Sequence, residues 1–157
     1  MNNDLRFLRH MLAVIAYRGG KVLRHAPDGF GITRVREDTR SAVEILSHIN
    51  DTLQWGLTAV QGKQEWQEQA HGEWPAQVDR FFDVLKRFDE ALKSTDELPC
   101  SAERLIAGPL ADSLTHIGQL STLRKLAGSA VLGENYFVAD IEIGKVGRDQ
   151  AAPKRES

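Results

Sequence analysis

The sequence of 157 residues predicts an all-α domain, a four-helix bundle with an irregular C-terminal tail packed on it. Four long stretches repeat apolar residues at spacings of three and four, which is the period of a helix with one buried face. Polar segments with glycine or proline separate these stretches. No series of short alternating stretches indicates a sheet, so the helices are expected to pack on one another.

The first two predicted helices are defined by their apolar stripes and their N-terminal caps. The first runs from about Asp4 to about Leu23. The second runs from about Ser41 to Val60, and Glu44 follows Ser41 at the spacing of a capping box. Both are long enough to run the length of a four-helix bundle.

The third and fourth predicted helices each contain a proline. Pro75 lies near the first turn of the third helix, where a missing N–H costs little. That helix ends before a turn at residues 94–101. The fourth spans roughly Ala102 to Leu126, and Gly108-Pro109 is expected to kink it or restart it.

The tail from residue 129 onward has no helical period. Its first part is expected to pack on the bundle, because it holds five large apolar residues: Tyr136, Phe137, Val138, Ile141 and Ile143. The predicted domain therefore covers residues 1–149. Residues 150–157 are predicted to be disordered.

Composition excludes several classes of function. The net charge is −2, from 20 basic and 22 acidic side chains without a basic stripe, so no nucleic-acid partner is expected. No run approaches the ~20 apolar residues that span a bilayer, so no membrane association is expected. Cys100 is the only cysteine, which excludes an internal disulfide and a four-cysteine zinc site. A reducing cytoplasm is the expected location.

The chemistry is expected on the fourth helix. Asp112 and His116 lie one turn apart on one face, and Gln119 follows three residues later. Leucines bracket this strip, so it borders the apolar face. Ligand-type residues at i and i+4 can share one metal ion, and bundle metal sites are assembled from facing helices in this way.

A third ligand must come from another helix, and His48 is the best candidate. It lies midway along the second helix, at the margin of the apolar stripe, where an accessible ion would sit. An ordinary half-exposed histidine would occupy the same position. Trp55, two turns later, is a candidate wall of the pocket, although core packing would explain it equally well.

These residues carry a family resemblance. His48 in the second helix and the segment Thr115-His-Ile-Gly-Gln119 in the fourth resemble the motifs of the DinB-like superfamily, which includes the YfiT-type and mycothiol-dependent proteins. The resemblance covers roughly residues 4–127. It implies a four-helix bundle, often dimeric, with a metal held by three histidines.

The chain departs from that pattern at one position. Asp112 stands where the family has the first histidine of the fourth helix, so the predicted ligands are His48, Asp112 and His116. Two histidines and one carboxylate suit Fe(II) and can also hold Zn, Ni or Mn. Three protein ligands leave a position open, as in catalytic sites. Gln119 is then a candidate partner that orients a ligand, and Tyr136 of the tail could close over the site.

Two hypotheses about function remain open at this point. The resemblance implies a metal-dependent thiol transferase, isomerase or hydrolase acting on a small molecule or low-molecular-weight thiol, and a homodimer is expected. The alternative is a non-catalytic, dimeric, stress-associated bundle with a vestigial polar site. There, an Asp112–His116 hydrogen bond would only fix the helix register.

Overall fold

The structure, a computed structural model, describes residues 2–157 and confirms the all-α fold. Four helical rods pack against each other, and the described residues contain no strand. The first three rods are the helices α1, α2 and α3, and the fourth is α4, a π-helical turn and α5 in succession. Their bounds are α1 Asn3–Leu23, α2 Ala42–Val60, α3 Trp74–Ser94, α4 Ala102–Leu105, the π-helical turn Ile106–Leu110 and α5 Ala111–Leu126. None of the helices among residues 2–157 has the length and apolar character needed to cross a membrane.

The predicted capping box at the start of α2 is confirmed. The Ser41 hydroxyl accepts a hydrogen bond from the backbone N–H of Glu44 at 3.4 Å, and the Glu44 carboxylate accepts one from the Ser41 N–H at 2.6 Å. The bond from the Ser41 backbone is the main reason that the pKa of Glu44 lies below its ordinary value. The cap therefore determines where the helix that carries His48 begins.

Removing this cap is expected to destabilise the protein modestly. Ser41→Ala should lower the free energy of unfolding by about 1 kcal/mol in urea denaturation, because N–H groups of the first turn lose their acceptor. Ser41→Gly is the control and should lower the free energy of unfolding by only about a few tenths of a kcal/mol. Since the folded pKa of Glu44 is lowered, its stabilisation should be complete above the unfolded pKa and fade as the pH falls through the folded pKa. Equal losses for both variants would contradict the capping role.

The fourth rod does not restart at Gly108-Pro109. The chain stays helical there by widening into the π-helical turn, which accommodates a proline that lacks an N–H. A π turn adds one residue to the rod, and one residue corresponds to about 100° of rotation. This turn therefore determines which face α5 presents to α2.

Close packing brings α2 against this turn. A Cβ atom at Gly56 would lie 2.8 Å from the ring of Phe88 and 2.9 Å from Pro109, so only glycine fits at this approach. His48 lies two turns before Gly56 on the same helix. The close approach helps to place His48 opposite α5.

The tail packs on the bundle, but not through all the residues that the sequence predicts. Val146 is buried in the core, and Ile141 and Ile143 are half-buried. The prediction that Phe137 and Val138 are buried is wrong, since they are 96% and 38% exposed. Both belong to a short 3-10 turn, Tyr136–Val138, whose successive side chains point in different directions.

Charged side chains attach the tail to α1. The Glu134 carboxylate accepts hydrogen bonds from the Tyr17 hydroxyl at 2.5 Å and from the Lys21 ammonium at 2.9 Å. Lys21 also pairs with Glu156 at 2.7 Å, and the backbones of Gly133 and Ser157 hydrogen-bond to each other. Disorder of residues 150–157 stays a prediction, which amide hydrogen exchange can test.

Candidate metal centre

Three side chains from two helices converge on the surface between α2 and α5. His48 from α2, and Asp112 and His116 from α5, each offer one ligand atom, and these atoms lie within 4.8 Å of one another. One oxygen of Asp112 is 3.5 Å from Nε2 of His48 and 3.4 Å from Nε2 of His116. The group can hold a metal ion. No other such group occurs among residues 2–157.

The spacing of these atoms is compatible with one shared ion. Two donors bound about 2.1 Å from a tetrahedral ion lie ~3.4 Å apart. Charge-assisted N–H···O bonds are shorter, at about 2.7–2.9 Å. The separations of 3.4 and 3.5 Å match the first case. The imidazole rings of His48 and His116 are nearly perpendicular, with centroids 4.6 Å apart.

Gln119 determines which nitrogen of His116 is available. Its side-chain oxygen lies 2.9 Å from Nδ1 of His116, three residues earlier on α5. An amide oxygen at this position accepts a hydrogen bond from a protonated Nδ1, and in that tautomer Nε2 keeps its lone pair on the side of Asp112. This is the arrangement that a metal-binding histidine needs.

Gln119→Ala is expected to weaken metal binding about 10–100-fold, because His116 loses the partner that fixes its tautomer and orientation. Isothermal titration calorimetry with Zn²⁺ would measure the change. Gln119→Glu keeps an acceptor at the same place and is expected to retain the affinity. Similar losses in both variants would show that the contact with Nδ1 does not matter.

The surroundings of His48 favour its neutral form. Burial is the main cause that lowers the pKa of His48, and the positive charge of Arg40 and the His116 ring add to it. The Asp112 carboxylate acts in the opposite direction. Neutral imidazole is the form that binds a metal, so the lowered pKa leaves the His48 ring without a competing proton, while the Asp112 carboxylate supplies the negative charge that favours a cation.

A cavity of about 490 Å³ is lined by two of the three candidate ligands, His48 and Asp112. Its further walls are Thr52 and Trp55 of α2, Trp66, and the π-helical turn at Ala107 and Gly108. Trp66 was not predicted from the sequence. It belongs to the connection between α2 and α3, and its ring centroid lies 6.0 Å from that of His48 and 6.3 Å from that of Trp55. The available signal was a lone tryptophan in an otherwise polar connection.

The structure does not bring Tyr136 to this cavity. Its ring lies edge-on to Tyr17 of α1, with centroids 6.2 Å apart, and the guanidinium of Arg18 lies 4.2 Å above it. Tyr136 therefore belongs to the contact between tail and α1. The 3-10 turn holds it there, because the Asn135 side chain accepts a hydrogen bond from the Phe137 N–H.

Fold and site together define a helical protein of four packed rods with a His/Asp/His group that can hold a metal ion. Comparison with protein families, with curated proteins and with solved structures finds no match.

Proposed function

We propose that the chain is a divalent-metal-dependent protein of the DinB-like kind that acts on a small molecule. The observation that carries the proposal is the convergence of His48, Asp112 and His116 at separations suited to one ion, beside an open cavity. Their order along the chain and the following Gln119 support the DinB-like assignment, because the same helices carry the motifs of that superfamily.

The donor set limits the metal. Two imidazole nitrogens and one carboxylate suit Zn, Ni or Fe(II), and the carboxylate offsets one of the two positive charges. A bound divalent ion would act as a Lewis acid that polarises a carbonyl group or lowers the pKa of a coordinated water or thiol. Three protein ligands leave room for a substrate atom on the cavity side.

The cavity residues support a small-molecule substrate. Trp55 and Trp66 provide two aromatic walls against which a small molecule can pack beside His48 and Asp112. By resemblance, the reaction is a thiol-dependent transfer, an isomerisation or a hydrolysis, with a low-molecular-weight thiol as one reactant. A homodimer is part of the same proposal, since an exposed apolar stripe suffices for a two-fold interface.

The alternative is a non-catalytic bundle in which Asp112 only links the two histidines. That role needs only one histidine beside Asp112, whereas its carboxylate lies within 3.5 Å of both His48 and His116. The convergence of three ligand-type groups from two helices supports a site for an ion over a vestigial contact.

Metal analysis of protein purified without an affinity tag tests the proposal. We expect about one divalent ion per chain, and transfer or hydrolysis of model thiol substrates that a chelator removes and added metal restores. If the protein binds the metal but shows no activity, it is a metal-binding protein and the proposal that it is an enzyme is refuted. A chain that takes up no Zn²⁺, Ni²⁺ or Fe²⁺ would favour the non-catalytic bundle.

A further inference from the structure

A second cavity lies next to the metal centre, between α2 and the fourth rod. Its volume is about 310 Å³. Most of its lining is apolar or uncharged, and Gln64 and Arg104 are the strongly polar members. The apolar and weakly polar lining residues are Trp55, Gly56, Ala59, Cys100, Leu105, Ala107 and Pro109.

The two cavities share Trp55 and Ala107. Ala107 is exposed and Trp55 is partly exposed, so both cavities border the same stretch of surface. The indole of Trp55 lies close to the π-helical turn, since a Cβ at Gly108 would be 3.3 Å from it. A molecule lying over Trp55 can therefore reach the ligands on one side and the apolar cavity on the other.

We propose that this apolar cavity binds the hydrocarbon part of a substrate whose polar head reaches the metal centre. The substrate class is then an amphipathic small molecule, with a metal-binding head group and an alkyl or aryl tail. This inference rests on the proposed function, because the head group needs an ion at His48, Asp112 and His116.

The apolar lining of the cavity, and its position next to the metal centre, both support a hydrocarbon tail of the substrate as the occupant. The side chains around the cavity offer few groups that a polar molecule could use, while each buried methylene group gains affinity. The Cys100 thiol makes only a weak contact with the Ala59 carbonyl, at 4.0 Å, so it gives a polar ligand little to bind. A second protein would need a wide apolar face, and this cavity is a pocket beside a site for small molecules.

A series of alkyl hydroxamates tests the inference. Protein loaded with one equivalent of Co²⁺ is titrated with acetohydroxamate, butanohydroxamate and octanohydroxamate, and affinity is measured by visible absorption and calorimetry. One buried methylene multiplies affinity by about two to four, so the six added methylenes should raise it at least about 50-fold. Cys100→Phe fills the cavity and should abolish this dependence on chain length. Cys100→Ser preserves the volume and is the matched control.

Labelling gives a second way to fill the cavity if Cys100→Phe does not fold. Cys100 is the only cysteine, so benzyl methanethiosulfonate would modify the folded wild-type protein at this position alone. Burial raises the pKa of the Cys100 thiol, so the reaction is run at alkaline pH. The labelled protein should bind acetohydroxamate as before and show no gain from longer chains.

The outcomes separate this inference from the proposed function. Affinity that is independent of chain length in wild-type protein, or an unchanged dependence after the cavity is filled, would overturn the inference and leave the metal site intact. Absence of Co²⁺ binding would refute the proposed function. The cavity is then still tested in metal-free protein, where octanohydroxamate but not acetohydroxamate should shift the methyl resonances of Ala59 and Leu105. No shift would overturn the inference as well.

Discussion

His116→Ala is expected to abolish binding of a divalent ion by the purified protein. The substitution removes the imidazole whose Nε2 lies 3.4 Å from the Asp112 carboxylate. Only two of the three ligands then remain, Asp112 on α5 and His48 on α2. Metal content should fall from about one ion per chain to background. Calorimetry should show a loss of affinity well above the ~100-fold expected for a change outside the ligand set.

His10→Ala is the matched control, because this histidine of α1 belongs to no group that could hold a metal. It should leave metal content unchanged. Asp112→His supplies the three-histidine set of the DinB-like superfamily, and it should retain binding with a changed preference among metals. Unchanged metal content in His116→Ala, in protein shown to be folded by circular dichroism, would refute the site.

Arg9→Met is expected to produce the largest loss of stability, about 3 kcal/mol in the free energy of unfolding. Arg9 of α1 and Asp89 of α3 form a two-pronged ion pair with N–O distances of 2.8 and 3.0 Å. Both side chains are at most 10% exposed. The variant would leave the Asp89 carboxylate buried without its partner, which costs far more than the pair itself contributes. Urea denaturation would measure the loss.

The double variant Arg9→Met/Asp89→Leu should recover most of that stability, because neither charge is then left alone. Lys154→Met provides the comparison, since Lys154 and Asp140 are both about half exposed and such a pair contributes about 0–1 kcal/mol. A similar loss for Arg9→Met and Lys154→Met would contradict the role of burial. So would a double variant that is no more stable than the single one.

Local signals predicted the helices because each signal acts within one or two turns. Ser41 and Glu44 lie three residues apart, and their two hydrogen bonds start α2 where the sequence predicts. Pro75 likewise occupies the first turn of α3. The pair Asp112 and His116 could be recognised for the same reason, since a spacing of four residues on a helix places both side chains on one face.

Other features could not be read locally. Gly108-Pro109 indicates an interruption, but its form, a π-helical turn packed closely against Gly56 of α2, is a tertiary feature that the local sequence does not specify. Trp66 lies in a connection with no periodic pattern, so the sequence marks it only as a lone tryptophan and does not indicate that it lies near His48. Phe137 was expected inside because it is large and apolar, yet the short turn that carries it points outward.

By itself, the amino-acid sequence determined the four helical rods, the cap of α2, and the shared face of Asp112 and His116. These depend on hydrogen bonds and side-chain spacing within a few residues. Tertiary structure decided that His48 lies 3.5 Å from Asp112, that Trp55 and Trp66 enclose the cavity, and that Tyr136 lies elsewhere. Such distances join residues far apart in the chain. They follow from how helices pack, which no local pattern specifies.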